Sequence, residues 1–286
     1  MSRIGRLLVN ADDFGLHADI DRGILECVDR GRVQSVSFAA TGRSVDWNTL
    51  RELHRHGVYI GLHVVLVGEP WASDGRLLHG WKDLAKRLLL PGHTMKDAVD
   101  REVRRQFQLC SENGIDPSCL SHVDSHQHVH TFKDVWDSCI RRTREYGIRR
   151  IRVPWCPSIQ LIRKNFAGLT LQILAHHRAA EVPGFLPCLG LARAGCNSTA
   201  SFRNELVYAA RASSPDIELV VHPGITTPDL EACYPDWRFD WSCERNALLS
   251  TQFAEAVSAN GYAFFAPTRG SHTQEHLGRK AQLNDK

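Results

Sequence analysis

Short apolar runs alternate with amphipathic stretches along the chain. Arg6 to Ala11 reads as a buried strand, and Ala18 to Arg30 as a helix stopped by Gly31, a residue suited to the position after a helix. Val33 to Ala39 alternates like a strand, Val45 to His56 is helical and ends at Gly57, and Val58 to Val67 predicts a third strand. This βαβαβ order with short links predicts a parallel α/β sheet or barrel. Residues 68–92, with Pro70, Trp71, Gly75, Trp81 and Pro91, interrupt it, either as an active-site wall or as a surface loop. The pattern then resumes. Thr94 to Glu112 predicts a charged amphipathic helix and Cys119 to Asp124 a strand. A helix capped by Thr131-Phe132-Lys133-Asp134 continues to Tyr146, and Ile148 to Val153 is a strand. From Cys156 to Asn197 the pattern is poor, with one helix expected from about Ser158 to Arg178, its apolar residues serving the core or a greasy groove. Ser201 to Arg211 predicts a helix, Ile217 to His222 a buried strand, Glu244 to Asn260 a last helix and Gly261 to Ala266 a last strand. One domain over residues 1–286 is expected, with insertions at about 68–92 and 155–197 and a frayed tail at about 271–286.

One stretch does not belong to this core-building pattern. Leu120-Ser121-His122-Val123-Asp124-Ser125-His126-Gln127-His128-Val129-His130 holds four histidines and an aspartate on alternate positions. In an extended segment His122, Asp124, His126, His128 and His130 would share a side; in a helix only His122, His126 and His130 would align. Neither an apolar core nor a solvated loop needs that spacing, whereas metal coordination or proton transfer does.

Composition narrows the class. A chain of 286 residues with 43% hydrophobic and 23% charged content is ordinary for a globular protein, and a net charge of +3 gives no reason to expect nucleic acid. Leu7-Leu8-Val9 is too short for a signal-peptide core, and no segment approaches the ~18 apolar residues of a membrane span, so a cytoplasmic location is expected. The nine cysteines include no Cys-x-x-Cys pair and read as reduced, small apolar residues.

Reactive groups fall where strands end: Asp12 and Asp13 after the first, His63 late in the third, the histidine stretch after the fourth, Arg152 at the fifth and His222 at a later one. In parallel α/β folds those carboxyl ends form the active site. Extended backbone cannot point Asp12 and Asp13 the same way; one can hold a metal while the other faces substrate, or the pair can cap the following helix. His63 lies in an apolar strand, as a satisfied core histidine or as a third ligand beside Asp13 and His126. His222 has the same two readings, packing or chemistry. A buried Arg152 needs a carboxylate partner and would serve to orient Asp12.

Asn10-Ala11-Asp12-Asp13-Phe14-Gly15, Gly61-Leu62-His63 and His122 to His130 resemble the motifs of the YdjC family of carbohydrate deacetylases, with Val221-His222-Pro223-Gly224 as a later anchor. The chain length, Arg152-Val153-Pro154 and Gly190-Leu191-Ala192-Arg193 look most like the hopanoid-biosynthesis branch, HpnK. The resemblance implies a distorted TIM-like (β/α) barrel and one divalent ion, magnesium or zinc, on Asp13, His63 and His126. It implies Asp12 as catalytic base and, by looser similarity to polysaccharide deacetylases, Arg152 as its holder and His222 as the acid. Asp124, His128 and His130 would orient ligands or touch substrate. Trp71, Trp155 and Trp237 are candidates to stack on a sugar, although a tryptophan in such a place is more often a core or lid residue.

The expected reaction is hydrolysis of an N-acetyl group from an amino sugar, in this branch an N-acetylglucosaminyl hopanoid glycolipid. Chito-oligosaccharide deacetylation, a metal-dependent phosphoesterase or amidohydrolase, a non-haem iron oxygenase and a non-catalytic glycolipid-binding protein are the alternatives. The expected partner is an N-acetylated amino sugar or glycolipid, with transient membrane contact and a homodimer as open additions and nucleic acid excluded.

Overall fold

A computed structural model describes residues 5–91, 94–156, 166–182, 185–212 and 214–265. Along the chain run β1 (Gly5–Phe14), α1 (Ala18–Asp29), β2 (Ser35–Phe38), α2 (Trp47–Arg55), β3 (Tyr59–Val64), α3 (Trp81–Leu88), α4 (Thr94–Glu112) and β4 (His122–Ser125). They are followed by α5 (Lys133–Glu145), β5 (Arg150–Ile151), α6 (Phe166–Ala179), β6 (Cys188–Leu189), α7 (Thr199–Arg211), β7 (Asp216–Val221), α8 (Pro228–Cys233), α9 (Trp241–Leu249), α10 (Thr251–Ala259) and β8 (Tyr262–Phe264).

The strands form one parallel sheet in the order β5-β4-β3-β2-β1-β7-β6, and β8 pairs with the first residues of β1. Helices cover its outer face, and the sheet curls into a distorted, partly open TIM-like barrel. Its edges approach where the Cys188 N–H donates to the Trp155 carbonyl at 2.8 Å.

Register and alternation decide what faces inward. Paired residues of parallel strands project to the same side. The ladder sets Ser37 beside Gly61, Gly61 beside His122 and His122 beside Arg150; one step on, His63 lies beside Asp124. Asn10, Asp12, Ser37, His63, His122, Asp124, Arg152 and Glu218 are therefore an inner polar set, all fully or nearly fully buried. The intervening residues Val9, Ala11, Val36, Phe38, Leu62, Val64, Val123, Leu219 and Val221 belong to the core under the helices. Gly61 has no side chain for a steric reason: a Cβ there would lie 2.2 Å from the His122 ring.

Several expectations change. The expected last helix is two, α9 and α10, because Ser250 is extended (φ −64°, ψ 147°) and its hydroxyl caps α10 at the Phe253 N–H. The α5 cap is also different: Thr131 Oγ1 donates to the His128 carbonyl, and Phe132 precedes the helix without a side-chain cap. Asp12 and Asp13 cap nothing; they lie within β1, and His17 caps α1. Residues 68–91 carry α3, and β6 occupies the segment whose pattern was poor. Of the helix expected from Ser158, Phe166–Ala179 is described, while residues 157–165 and the tail from 266 lie outside the described set.

Candidate active site

Asp13 stands near the end of β1 with φ +73°, a left-handed conformation that costs a non-glycine residue about 1–2 kcal/mol. This geometry brings Asp13 Oδ1 to 3.2 Å from His63 Nε2 and 3.0 Å from His126 Nδ1. His63 comes from β3 and His126 from the turn after β4, so three distant segments meet at one carboxylate. The histidine stretch does not continue as a strand. β4 ends at Ser125, and residues 126–131 form a tight 3₁₀ turn with Gln127 (φ 51°) and His128 (φ 53°) left-handed. The alternate histidines are thereby spread around a turn.

Beside this group lies a chain of buried charge. Arg152 Nη1 and Nη2 donate to the two oxygens of Asp12 at 2.6 and 2.8 Å, and Nε donates to Glu218 at 2.8 Å. Nη1 also lies 2.7 Å from Asp124 Oδ2, and Asp124 Oδ1 is 2.7 Å from His63 Nδ1. Asp12, Arg152, Asp124, His63 and Asp13 therefore touch in sequence. Asn10 Nδ2 donates to Asp12 and to Ser37 Oγ, while Ser37 Oγ donates to Asp124. With Asp124 on His63 Nδ1, His63 Nε2 is the nitrogen that faces Asp13.

The group fits a cation. Asp13 Oδ2, His63 Nε2 and His126 Nε2 are buried and have no hydrogen-bond partner, and Asp13, His63 and His126 offer ligand atoms within 4.8 Å of one another. One carboxylate and two imidazoles suit zinc, manganese, iron or magnesium, with positions left over for water or substrate. A second set, Asp12, His63 and Asp124, is as close, but the Arg152 guanidinium already occupies both its carboxylates. In a third, His17, Asp229 and Cys233, both His17 nitrogens are engaged, by Asp19 N–H and by Asp229.

The electrostatics favour positive charge at the centre. Burial lifts the Asp13 carboxyl, but the charge and hydrogen bond of His126, then His63, overcome this and hold it well below the usual range. Burial likewise opposes ionisation of Asp124, which Arg152 and His63 nevertheless keep low. Burial pulls His63 down, while Asp124 and then Asp13 push it up to about 10. Negative charge on both sides of His63 makes the site hold a proton or a metal well.

The other histidines divide. His122 lies between Ser37 Oγ (2.8 Å) and Ser121 Oγ (2.7 Å), and His130 between Ser125 Oγ (2.7 Å) and the Arg152 carbonyl (2.8 Å). Burial keeps both neutral, His130 at about 4. Both ring nitrogens of each are thus engaged inside the barrel. His128 Nδ1 and His222 Nδ1 are buried and unpartnered. The His222 N–H donates to Glu244 Oε2 at 2.7 Å, and its Nδ1 lies 3.9 Å from the same oxygen.

Glu218 and Glu244 were not singled out from the sequence. Glu218 carried a usable signal, an acid inside the apolar run Ile217 to Val221 that requires a buried cation. Glu244 on α9 carried none. Trp71 is a core residue whose Nε1–H donates to the Leu66 carbonyl at 2.9 Å. Trp237 is stacked on His126, and Trp155 lies edge-on to Phe185.

Fold and site together define a parallel (β/α) barrel with an Asp/His/His centre at the carboxyl ends of its strands. The family model for YdjC-like protein matches residues 6–259, and the chain belongs to that family. It is 27% identical over 181 residues to the carbohydrate deacetylase of Brevibacillus brevis, covering 60% of this chain and 68% of that protein. It is 32% identical over 149 residues to the chitooligosaccharide deacetylase of Klebsiella pneumoniae, covering 50% and 57%. Against the chitooligosaccharide deacetylase of Serratia marcescens it is 33% identical over 129 residues, covering 43% and 50%. The chain thus spans between half and about two thirds of the length of these relatives. A solved structure described as a cellobiose-phosphate cleavage protein, from Enterococcus faecalis V583, superposes with TM-score 0.66 at 20% identity over 92% of this chain and 97% of that one, a likeness of fold.

Proposed function

We propose that this protein is a metal-dependent carbohydrate deacetylase that hydrolyses the N-acetyl group of an amino sugar. The observation that carries the reading is the convergence of Asp13, His63 and His126, with ligand atoms within 4.8 Å of one another and with Asp13 Oδ2 and His63 Nε2 unpartnered, beside a carboxylate, Asp12, gripped by Arg152. Deacetylase relatives at 27–33% identity support it.

Asp13, His63 and His126 would hold the ion. A divalent cation there supplies Lewis-acid polarisation of the amide carbonyl and acidifies water. Asp12, fixed in rotation by the two guanidinium hydrogen bonds, takes a proton from the attacking water as general base. His222, at the end of β7 with its free Nδ1, delivers a proton to the departing amine. Asp124 fixes the ring orientation of His63, and His128, with its unpartnered nitrogen, is placed to hydrogen-bond a substrate hydroxyl.

For the substrate we propose an N-acetylglucosaminyl glycolipid of the hopanoid type. Supporting it are the resemblance to that branch and the apolar Leu169 and Ile173 on α6, which remain partly exposed among the described residues. The α6 helix is tied to the histidine turn through Arg178, which donates to the Thr131 carbonyl at 3.1 Å. A free chito-oligosaccharide is the competing substrate.

The test measures acetate release from N-acetylated sugars and glycolipids by chelator-stripped protein, with magnesium, zinc or manganese restored singly. Asp12→Asn should lose activity by about 10²-fold or more and keep its metal. Parent-level acetate release by that variant, or release without added metal, overturns the mechanism.

A further inference from the structure

We propose that Trp237 is a positioning residue for His126, holding the imidazole at the angle at which it meets Asp13 and His63. The inference rests on the metal-site reading above. Metal-ligating imidazoles are ordinarily oriented through the second ring nitrogen by a carboxylate, a carbonyl or a hydroxyl. His63 follows that rule, with Asp124 on its Nδ1 at 2.7 Å. His126 does not: Nδ1 is the nitrogen that faces the group, 3.0 Å from the same Asp13 oxygen that His63 Nε2 approaches, and the second nitrogen, Nε2, is buried without a partner. Its backbone gives little help, since the next two residues are left-handed and hold that conformation only if their surroundings impose it.

A flat aromatic contact takes the place of the missing hydrogen bond. The Trp237 indole stacks on His126 with ring centroids 4.7 Å apart and planes 19° apart. The same indole stacks on Tyr234 at 4.4 Å and 30°. Tyr234 is itself pinned, with its hydroxyl 3.0 Å from the Leu16 carbonyl and 3.1 Å from Glu69 Oε1. A column therefore runs from the loop after β1, through Tyr234 and Trp237, to His126. With two protein rings stacked on it, Trp237 has a structural commitment that a sugar-stacking residue would not have. Phe239, two residues further on, packs against the Trp237 indole at 5.3 Å as well as edge-on to His222 at 5.3 Å and 60°, so the control is taken from outside the column, at Trp155, which lies edge-on to Phe185 at 6.0 Å.

The experiment uses the full chain stripped with chelator and titrated calorimetrically with zinc alone, with cobalt absorption spectra as a second readout. Trp237→Met, which fills space without a ring, should weaken zinc binding about 10–100-fold and alter the cobalt bands. Trp237→Phe should recover most of that loss, and Trp155→Met should stay within about twofold of the parent because its ring packs on Phe185, outside this column. If Trp237→Met does not fold, Trp237→Leu replaces it in the same comparison. Parent-like zinc affinity in Trp237→Met, no recovery in Trp237→Phe, or an equal loss in Trp155→Met overturns the proposal. A parent that binds zinc and loses it in His126→Ala, but is indifferent to Trp237, overturns this inference alone. A parent without zinc affinity overturns the metal-site reading and this inference with it.

Discussion

Replacing Arg152 by methionine tests the charge chain that the whole interior depends on. The side chain is fully buried and touches three carboxylates, Asp12, Asp124 and Glu218, at 2.6–2.8 Å. Arg152→Met deletes the cation and strands its partners, and removing one member of a buried pair costs about 3–5 kcal/mol. For a chain of this size that corresponds to a fall in Tm of roughly 10 °C. The pH dependence identifies the cause. In the parent, Asp124 is depressed by Arg152 and His63 against the pull of burial. Its contribution is therefore present above its unfolded value of about 3.9 and lost as pH falls through the lower folded value. Without the guanidinium, burial dominates at Asp124 and its carboxyl rises, so the variant loses stability as pH climbs above about 4. The gap between the proteins should be widest near pH 8 and close toward pH 5. Urea midpoints of the chelated proteins at four pH values measure it. A gap below about 1 kcal/mol at pH 8, or one that widens toward acid, would refute the reasoning.

Three further outcomes follow from the same geometry. Gly61→Ala drives a Cβ to 2.2 Å from the His122 ring, so it should cost about 1–3 kcal/mol of stability in thermal melts; an unchanged melt would remove the steric account of this glycine. Glu205 is raised by burial from 4.5 to about 7, so the folded state favours its neutral form. Stability is full below its ordinary value and lost as pH rises through about 7, by about 3 kcal/mol at ~1.36 kcal/mol per pH unit. Glu205→Gln, which keeps an acceptor for the Gly190 N–H, should remove that decline from denaturation curves between pH 5 and pH 8. Chelation of metal-saturated protein should lower stability by about 2.7 kcal/mol where the ion had stood at 100 times its Kd, and no change in Tm on chelation would argue against a bound cation.

Much of the frame was legible because its signals are local. Apolar runs of strand length separated by amphipathic helices gave the parallel sheet, and strand ends gave Asp13, His63 and His126 as groups that should meet. The Arg152–Asp12 pair was legible from cost alone, since a buried guanidinium demands a carboxylate. Features decided by tertiary contact were not. The histidine stretch keeps its alternation on paper, but Gln127 and His128 enter the left-handed region and break it, a choice enforced in part by the Trp81 N–H, which donates to Gln127 Oε1 at 3.0 Å across the 68–91 excursion. The break at Ser250 was hidden because residues on both sides form good helix. The stacking of Trp237 on His126 joins segments more than a hundred residues apart, and nothing in either segment announces the other.

The adjacent carboxylates show why strain collects at this site. On regular extended backbone Asp12 and Asp13 would face opposite sides of the sheet, and one would be lost among the helices. Between Ala11 and Phe14 the register of β1 against β2 shifts, and Asp13 turns to φ +73°. That departure keeps Asp13 inside the barrel mouth while Asp12 stays on Arg152, so one strand end offers both the ligand and the base of the proposed mechanism. The two stations are then joined through the protein by Arg152, Asp124 and His63, with contacts of 2.6–2.8 Å as far as His63 and 3.2 Å from His63 to Asp13. A left-handed aspartate at about 1–2 kcal/mol is a small penalty beside the several kcal/mol tied up in that buried ion network. The surrounding pairs therefore over-determine its conformation, and the strain persists where the chemistry needs two neighbouring side chains to serve one cavity.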